Sequence, residues 1–431
     1  MHKYKKYPKY KESGIAWLEE IPEHWILIKF KQVLEEKKKK TNLSLNCGSI
    51  SFGTVVYKDN EKVPEETKAS YQEVLKGEFL INPLNLNFDL KSLRTALSTL
   101  DVVVSTGYIV LKHKSNVNPY YLRWLLHQFD VAHMKTLGAG VRQTVNFTDI
   151  GNEYFYMPPL QEQQTIANYL DKATAKIDTL IQKQEQLIEL LKEKRQALIS
   201  HTVTKGLNPD VKMKDSGIEW LGKVPEHWTV PKIKYFALTD SGGTPTSSNR
   251  KEYYENGIYP WIRTTDLNNA ELFTVPIKIT KKAIEDTACN IVKKGSVLIG
   301  MYGGSGTIGK HALLHFPSTI NQAVCAITPN KHVLPKYLHY FIQFYRPHWM
   351  IGAMGTRKDP NIGQETIINR HVPIPPYKEQ ESIITFLKDK TSKIDILTEK
   401  ATKAIELLKE RRTALISAVV TGKIDVREFN E

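Results

Sequence analysis

Two stretches of the chain, Gln161–Lys205 and Tyr377–Thr421, carry apolar residues at alternating steps of three and four, with no glycine or proline between them. That spacing makes one face of an α-helix apolar and, sustained over several heptads, forms the seam of a coiled coil. The first seam reads Ile166, Leu170, Ala173, Ile177, Leu180, Leu187, Leu191 and Leu198, broken at Gln184 and Lys194. The second reads Ile383, Leu387, Ile394, Leu397, Ala401, Ala404, Leu408 and Leu415, broken at Lys390 and Arg411. Each stretch opens just after a Pro-Pro pair, which cannot lie inside a helix. At 1.5 Å per residue each helix is about 65 Å long, and two such helices in one chain most economically pair with each other. The remainder has a different pattern. Short apolar runs such as "SVLIGMY" and "VVVSTGYIVLKH", set between turn-rich links such as "DSGGTPTSSN", predict short strands in mixed α/β domains over residues 26–156 and 229–373.

The helical stretches are copies of one another. Pro158–Thr204 aligns without gaps to Pro375–Thr421, 217 positions later, with 25 of 47 residues identical. A shorter copy precedes each domain: "SGIAWLEEIPEHW" from Ser13 returns as "SGIEWLGKVPEHW" from Ser216, 203 positions later. The intervening segment is therefore 14 residues longer in the second half, and the two domains scarcely resemble each other. A closed two-fold relation between the halves requires the paired helices to be antiparallel. The sequence after the first helix, "VTKGLNPDVKMKDSGIEWLG", also resembles the C-terminal "VTGKIDVREF" joined to the N-terminal "KYKESGIAWLE", as if the ends could be sealed into a circle. The expected fold is α+β: two globular domains separated by a pair of long antiparallel coiled-coil helices in a pseudo-two-fold repeat. Its divisions fall at residues 1–156, 157–207, 208–373 and 374–431.

The net charge of +14 and a pI near 9.3 suggest a polyanionic partner. The long helices carry seven basic against six acidic residues and nine against seven, so most of the basic excess lies in the domains. No window approaches the ~20 apolar residues of a membrane span, and the basic N-terminus lacks the apolar core of a secretory signal. Three cysteines, Cys47, Cys289 and Cys325, have no metal-ligand spacing and read as reduced thiols of a cytoplasmic protein.

Several strings imitate catalytic motifs. "GGSGTIGKH" contains the glycines and lysine of a P-loop, but His311 stands where Ser or Thr must hold magnesium, and Pro317 stops any following helix. "NPLN" and "NPYY" are incomplete as adenine-methyltransferase motifs and no cofactor loop precedes them. "EETK" matches a nuclease only over three residues. His24 and His227 stand beside Trp25 and Trp228 in both copies, which favours packing or capping over catalysis. A fused nuclease or methyltransferase is therefore disfavoured. A purely structural coiled-coil scaffold is disfavoured by the basic domains.

The duplicated "SGIxWLxxxPxHW", the duplicated "PPxxEQxxI" opening a long helix, and "SGGTPTSSNRKEYYENGIYPWI" with "GTIGK…NQAV" carry a resemblance. Over essentially its whole length the chain resembles the specificity subunit of type I restriction-modification systems. The resemblance implies two target-recognition domains, helices that set their separation, and no chemistry in the chain itself. It further implies an asymmetric double-stranded DNA target of two half-sites. Partners would be modification methyltransferase subunits, two in number, with or without restriction subunits, and S-adenosylmethionine, ATP and magnesium would be bound by those partners. A partner would flip an adenine out of each half-site. Exposed polar and basic residues of the domains would divide between phosphate and base contacts. The candidates are Arg142, Gln143 and Thr144 in the first domain, and Thr244, Ser247, Asn249, Arg250, Lys310, Arg357 and Lys358 in the second.

Overall fold

The computed structural model describes residues 5–59, 63–84, 93–138, 144–302, 306–353 and 361–428. They form two compact units, residues 1–185 with 403–431, and residues 186–402. Each unit holds one globular domain and a half of each long helix. The helices span Leu160–Lys205 and Tyr377–Val420.

In the first unit Ile166, Leu170 and Ile177 share a core with Leu415, Ile416 and Val419 of the other helix. In the second unit Ile199 and Val203 share a core with Ile383 and Leu387. An ion pair ties the helices in each: Arg412 Nε to Asp178 Oδ1 at 2.9 Å, and Arg195 Nε to Asp395 Oδ1 at 3.3 Å. The two pairs are copies, because 178 and 395, like 195 and 412, differ by the 217 positions of the repeat. The helices pack as an antiparallel pair.

The phase of the seam corrects the sequence reading. Half-buried or buried positions run Leu170, Thr174, Ile177, Ile181, Gln184, Ile188, Leu191, Arg195, Leu198 and Thr202 in the first helix. In the second they run Leu387, Thr391, Ile394, Thr398, Ala401, Ile405, Leu408, Arg412, Leu415 and Val419, the same positions 217 residues on. One set of heptad positions is as expected; the other is displaced by one residue, and Leu180, Leu187 and Leu397 are 46, 41 and 50% exposed. Threonine can occupy the seam because its hydroxyl bonds the carbonyl one turn back, Thr174 to Leu170 at 2.6 Å and Thr391 to Leu387 at 2.7 Å. Arg195 and Arg412 occupy it by laying their stems along the helix and sending the guanidinium to the partner aspartate.

The repeated motifs meet in space. In the first unit Glu162, near the start of the long helix, accepts from Tyr7 OH at 2.6 Å and Trp25 Nε1 at 2.9 Å, and lies 2.8 Å from His24 Nε2. In the second, Glu379 accepts from Trp228 Nε1 at 3.1 Å and lies 2.8 Å from His227 Nε2. The neighbouring glutamine does the same work toward the domain: Gln163 accepts from Asn118 N and Gln380 from Leu334 N, both at 2.8 Å. The two histidines are thus structural pairs of a buried glutamate and a half-buried one. Asn118 caps the helix Pro119–Ala132 through its side chain, which accounts for "NPYY".

Although their sequences scarcely resemble each other, the domains share one topology. In the first, antiparallel strands Leu34–Glu36, Ile109–His113, Phe79–Ile81 and Thr95–Leu97 stand in that order. In the second the order is Ala237–Ser241, Val324–Pro329, Val297–Gly300 and His311–Leu314, followed by a fifth strand, Ala270–Leu272, parallel to the last. Each domain has a further four-stranded sheet with a parallel pair at its centre. That pair is Asn46–Ser51 with Val102–Val104 in one domain, and Tyr259–Ile262 with Ser318–Ile320 in the other. Even the closing pairing repeats. Ile26 faces Met157 and Lys29 faces Tyr154, while Thr229 faces Ile374 and Lys232 faces His371.

The first and last described segments of the chain meet inside the first unit. Asp425 N donates to Lys5 O at 2.9 Å, and Tyr10 OH to Gly422 O at 3.1 Å. Shifted by 217 and 203 positions respectively, Asp425 and Lys5 both fall on Asn208, where the second unit carries unbroken chain.

Candidate nucleic-acid interface

In the second domain Ser241, Gly300, His311 and Val324 lie at one end of the five-stranded sheet, because Ser241 pairs with Cys325, Gly300 with Val324 and Ile299 with His311. The loops leaving that end carry most of the expected site. Thr244, Ser247, Asn249 and Arg250 are exposed and Lys310 is half-buried. Asn321 and Gln322 belong to the same end, since Asn321 N donates to Ile262 O at 2.9 Å and Met301 N to Ala323 O at 2.8 Å.

Buried and half-buried side chains hold the 242–250 loop. Trp261 Nε1 donates to Gly243 O at 3.0 Å, Cys289 Sγ to Gly243 O at 3.1 Å, and Tyr254 OH to Pro245 O at 2.6 Å. Burial pushes the Cys289 thiol and the Tyr254 phenol up, so both keep the protons they donate. A Cβ on Gly242 would sit 1.6 Å from Ile320 O, so no other residue fits there. The loop is a fixed polar platform rather than a loose connection. Thr244 Oγ1 donates to the exposed Gln322 Oε1, which adds to the site a residue that the sequence reading quoted only as part of "NQAV". An amide oriented in this way can read a base edge.

The first domain presents the corresponding end. Ile81 pairs with Ile109 and Thr95 there, and Val145 N donates to Pro83 O at 3.2 Å, placing the exposed Thr144 beside that loop. The second domain makes the same closure with Ile362 N on Met301 O at 2.9 Å, 217 positions after Val145. A basic run that the site reading passed over leaves the strand Leu34–Glu36 at this end. Lys37 pairs with Glu73 and Glu78 at 3.1 and 2.8 Å, whereas Lys38 and Lys39 are exposed. The signal was visible as four consecutive lysines. Arg142, Gln143, Arg357 and Lys358 lie outside the described residues.

Among the described residues no group of His, Cys, Asp and Glu is arranged to hold a metal ion, and no helix is long and apolar enough to cross a membrane. "GTIGK" leads into the strand His311–Leu314 and not into a helix, so it provides no helix N-terminus for phosphate.

The fold is a duplicated α/β scaffold with matching polar loop ends and a pair of long antiparallel helices. The family model for the type I restriction modification DNA specificity domain matches residues 22–190 and 225–407, and the chain belongs to this family. It is a specificity protein and not a catalyst. The type I restriction enzyme MjaVIII specificity subunit of Methanocaldococcus jannaschii is 22% identical over 435 residues, 98% of this chain and 98% of that protein. Two solved structures share the fold. A chain from a study of complex assembly and conformational transition of the type I R-M system has a TM-score of 0.71 at 15% identity, covering 94% of this chain and 99% of that one. The HsdS subunit from Thermoanaerobacter tengcongensis has a TM-score of 0.55 at 16% identity, covering 94% and 98%.

Proposed function

We propose that the chain reads a bipartite, asymmetric double-stranded DNA target, one half-site per domain, on behalf of a cytoplasmic modification and restriction complex. The observation that carries this reading is one scaffold used twice with unlike loops at the same sheet end. Equal scaffolds give equal modes of docking on DNA, and unlike loops give unlike half-sites. Thr244, Ser247, Asn249 and Arg250, with Gln322, are the readers of the second half-site. Thr144, Arg142 and Gln143 serve the first, and Lys38, Lys39, Lys310, Arg357 and Lys358 contribute mainly to phosphate.

The partners are two methyltransferase subunits, together with restriction subunits, and S-adenosylmethionine, ATP and magnesium are held by them. Two equivalent pairs of exposed leucines support the number two. Leu180 and Leu407 are exposed in the first unit, and Leu397 and Leu190, their repeats 217 positions away, are exposed in the second. Leucines kept exposed at repeated positions suit two copies of one partner.

Replacing residues 229–373 by the corresponding domain of a relative tests the reading by methylome sequencing. The expected result is a change in one half of the methylated target, with the other half and the spacing between them retained. Altered bases in both halves would contradict it. Within the native domain, Arg250→Ala relaxes one position if it reads guanine, at about 1–3 kcal/mol. If it contacts phosphate, it weakens binding to all sequences and flattens the salt dependence.

A further inference from the structure

Because the units share a scaffold, a place where they differ in charge is informative. The helix Pro119–Ala132 corresponds to Pro335–Ala353 with a shift of 216, which superposes Asn118 on Leu334, the two residues bonded to Gln163 and Gln380, and the buried Tyr121 on Tyr337. Arg123 then corresponds to His339, and Trp124 to Tyr340. On the long helices Asp171 corresponds to Lys388.

In the first unit these residues close the crevice between domain and helix. Arg123 pairs with Asp171, Trp124 Nε1 donates to Asp171 at 2.7 Å, and the Arg412 guanidinium lies 5.9 Å from the Trp124 ring. The remaining cavity is about 100 Å³. In the second unit both members of the ion pair are gone and the cavity is about 450 Å³. Three cations line it, Arg195, Lys336 and Lys388. Asp395 is engaged by Arg195, and Glu271 by Lys336 and His315. Lys388, standing where the first unit has an aspartate, makes no ion pair among the described residues.

A buried histidine borders the same space. His339 lines the crevice, is 2% exposed, and contacts His311 Nδ1 through Nε2 at 3.0 Å; its Nδ1 is buried without a partner. One of the two rings donates to the other, and His339 Nδ1 is left without a hydrogen-bond partner whichever ring does so. A buried polar atom of this kind is costly to leave unpaired. Aromatic surface completes the lining through Tyr340 and the exposed Phe273, whose ring stacks on His315 at 4.4 Å.

We propose that this crevice of the second unit binds a nucleoside monophosphate, its phosphate held by Lys388 and Arg195 and its base against Phe273 and Tyr340. The volume is within the range of small-molecule sites, and the cations are those that recognise phosphate. None of the residues lining the crevice is among those assigned to DNA reading, so its failure would leave that assignment standing.

Isothermal titration of the full-length chain with AMP tests the proposal, with inorganic phosphate and adenosine as comparison ligands. One saturable AMP site is expected, with phosphate and adenosine each at least about tenfold weaker. Lys388→Asp, which restores the charge found in the first unit, is expected to weaken AMP by at least about tenfold while the melting temperature and duplex binding stay the same. Lys388→Ala guards against an effect of the new carboxylate and is expected to weaken AMP in the same direction. Absence of saturable AMP binding, binding that survives both substitutions, equal affinity for inorganic phosphate, or displacement of AMP by duplex DNA would each overturn it.

Discussion

Glu162 serves three side chains of the N-terminal segment, and Glu379 serves two, since the second copy has Asp210 where the first has Tyr7. Removing an acceptor from buried donors costs about 1–3 kcal/mol for each donor left unmade. Glu162→Ala is therefore expected to destabilise the protein more than Glu379→Ala, read as the loss of urea midpoint by tryptophan fluorescence. Equal losses would show that Tyr7 finds water instead. The seam makes a sharper residue-scale comparison. Ile394→Lys buries an unpaired ammonium at a 7% exposed position and is expected to cost several kcal/mol, whereas Leu397→Lys, three residues on and half exposed, should cost less than about 1 kcal/mol. Thermal unfolding of the two variants distinguishes this phase from one with Leu397 inside. Hydrophobicity alone could not set the phase, because leucine is the more apolar residue at 397 and threonine the polar one at 398. What decides is whether a polar side chain can satisfy itself within the helix, and Thr398 Oγ1 does so on Ile394 O at 3.0 Å. The same limit applies at the site. Exposed polar residues were legible as candidates, but that Gln322 is aimed by Thr244 depends on two loops 78 residues apart meeting at one sheet end.

At the scale of elements, the long helices and the strands were legible because their periodicities differ and prolines mark the helix starts. The common topology of the domains was not. A buried strand requires only apolar residues of suitable volume, so two sequences can build the same sheets without shared identities. The elements also differ in how they answer to acid. Burial, with Arg346, Arg195 and Lys336 nearby, lowers His311 to about 3, and burial lowers His339 well below its ordinary value. Each is neutral when folded and protonates at about 6.5 when unfolded, so their contribution is present above pH 6.5 and is lost as the pH falls below it. In the first unit His127 is lowered to about 4, chiefly by burial, and acts in the same direction. Asp130 there opposes it: burial raises its carboxyl to about 6, so the folded state holds the proton more tightly and gains stability as the pH falls from 6 toward 3.8. Hydrogen exchange followed from pH 7 to pH 5 should therefore show the strand His311–Leu314 and the helix Pro335–Ala353 losing protection before Pro119–Ala132. The reverse order would mean that other groups dominate.

For the whole molecule, the duplication was legible in the sequence, and the structure adds that the seam, the ion pairs and the closures of the sheets all obey the same two shifts of 203 and 217. It also shows how the ends are joined. Lys5 and Asp425 sit side by side at the place taken by Asn208 in the other unit, and Gly206 and Gly422, both at positive φ, turn the chain at the two helix ends against Trp228 and Trp25. A variant in which a short linker connects residue 428 to residue 5, with new termini opened at 208–210, is expected to keep the melting temperature and the DNA target of the original. Loss of either would mean that unbroken chain at 208 does something that the hydrogen bond at 425 does not. If the variant behaves as expected, the molecule has no architectural beginning. The order in which its two domains are translated is then a property of the gene, and a ring cut at either junction would spell the same protein.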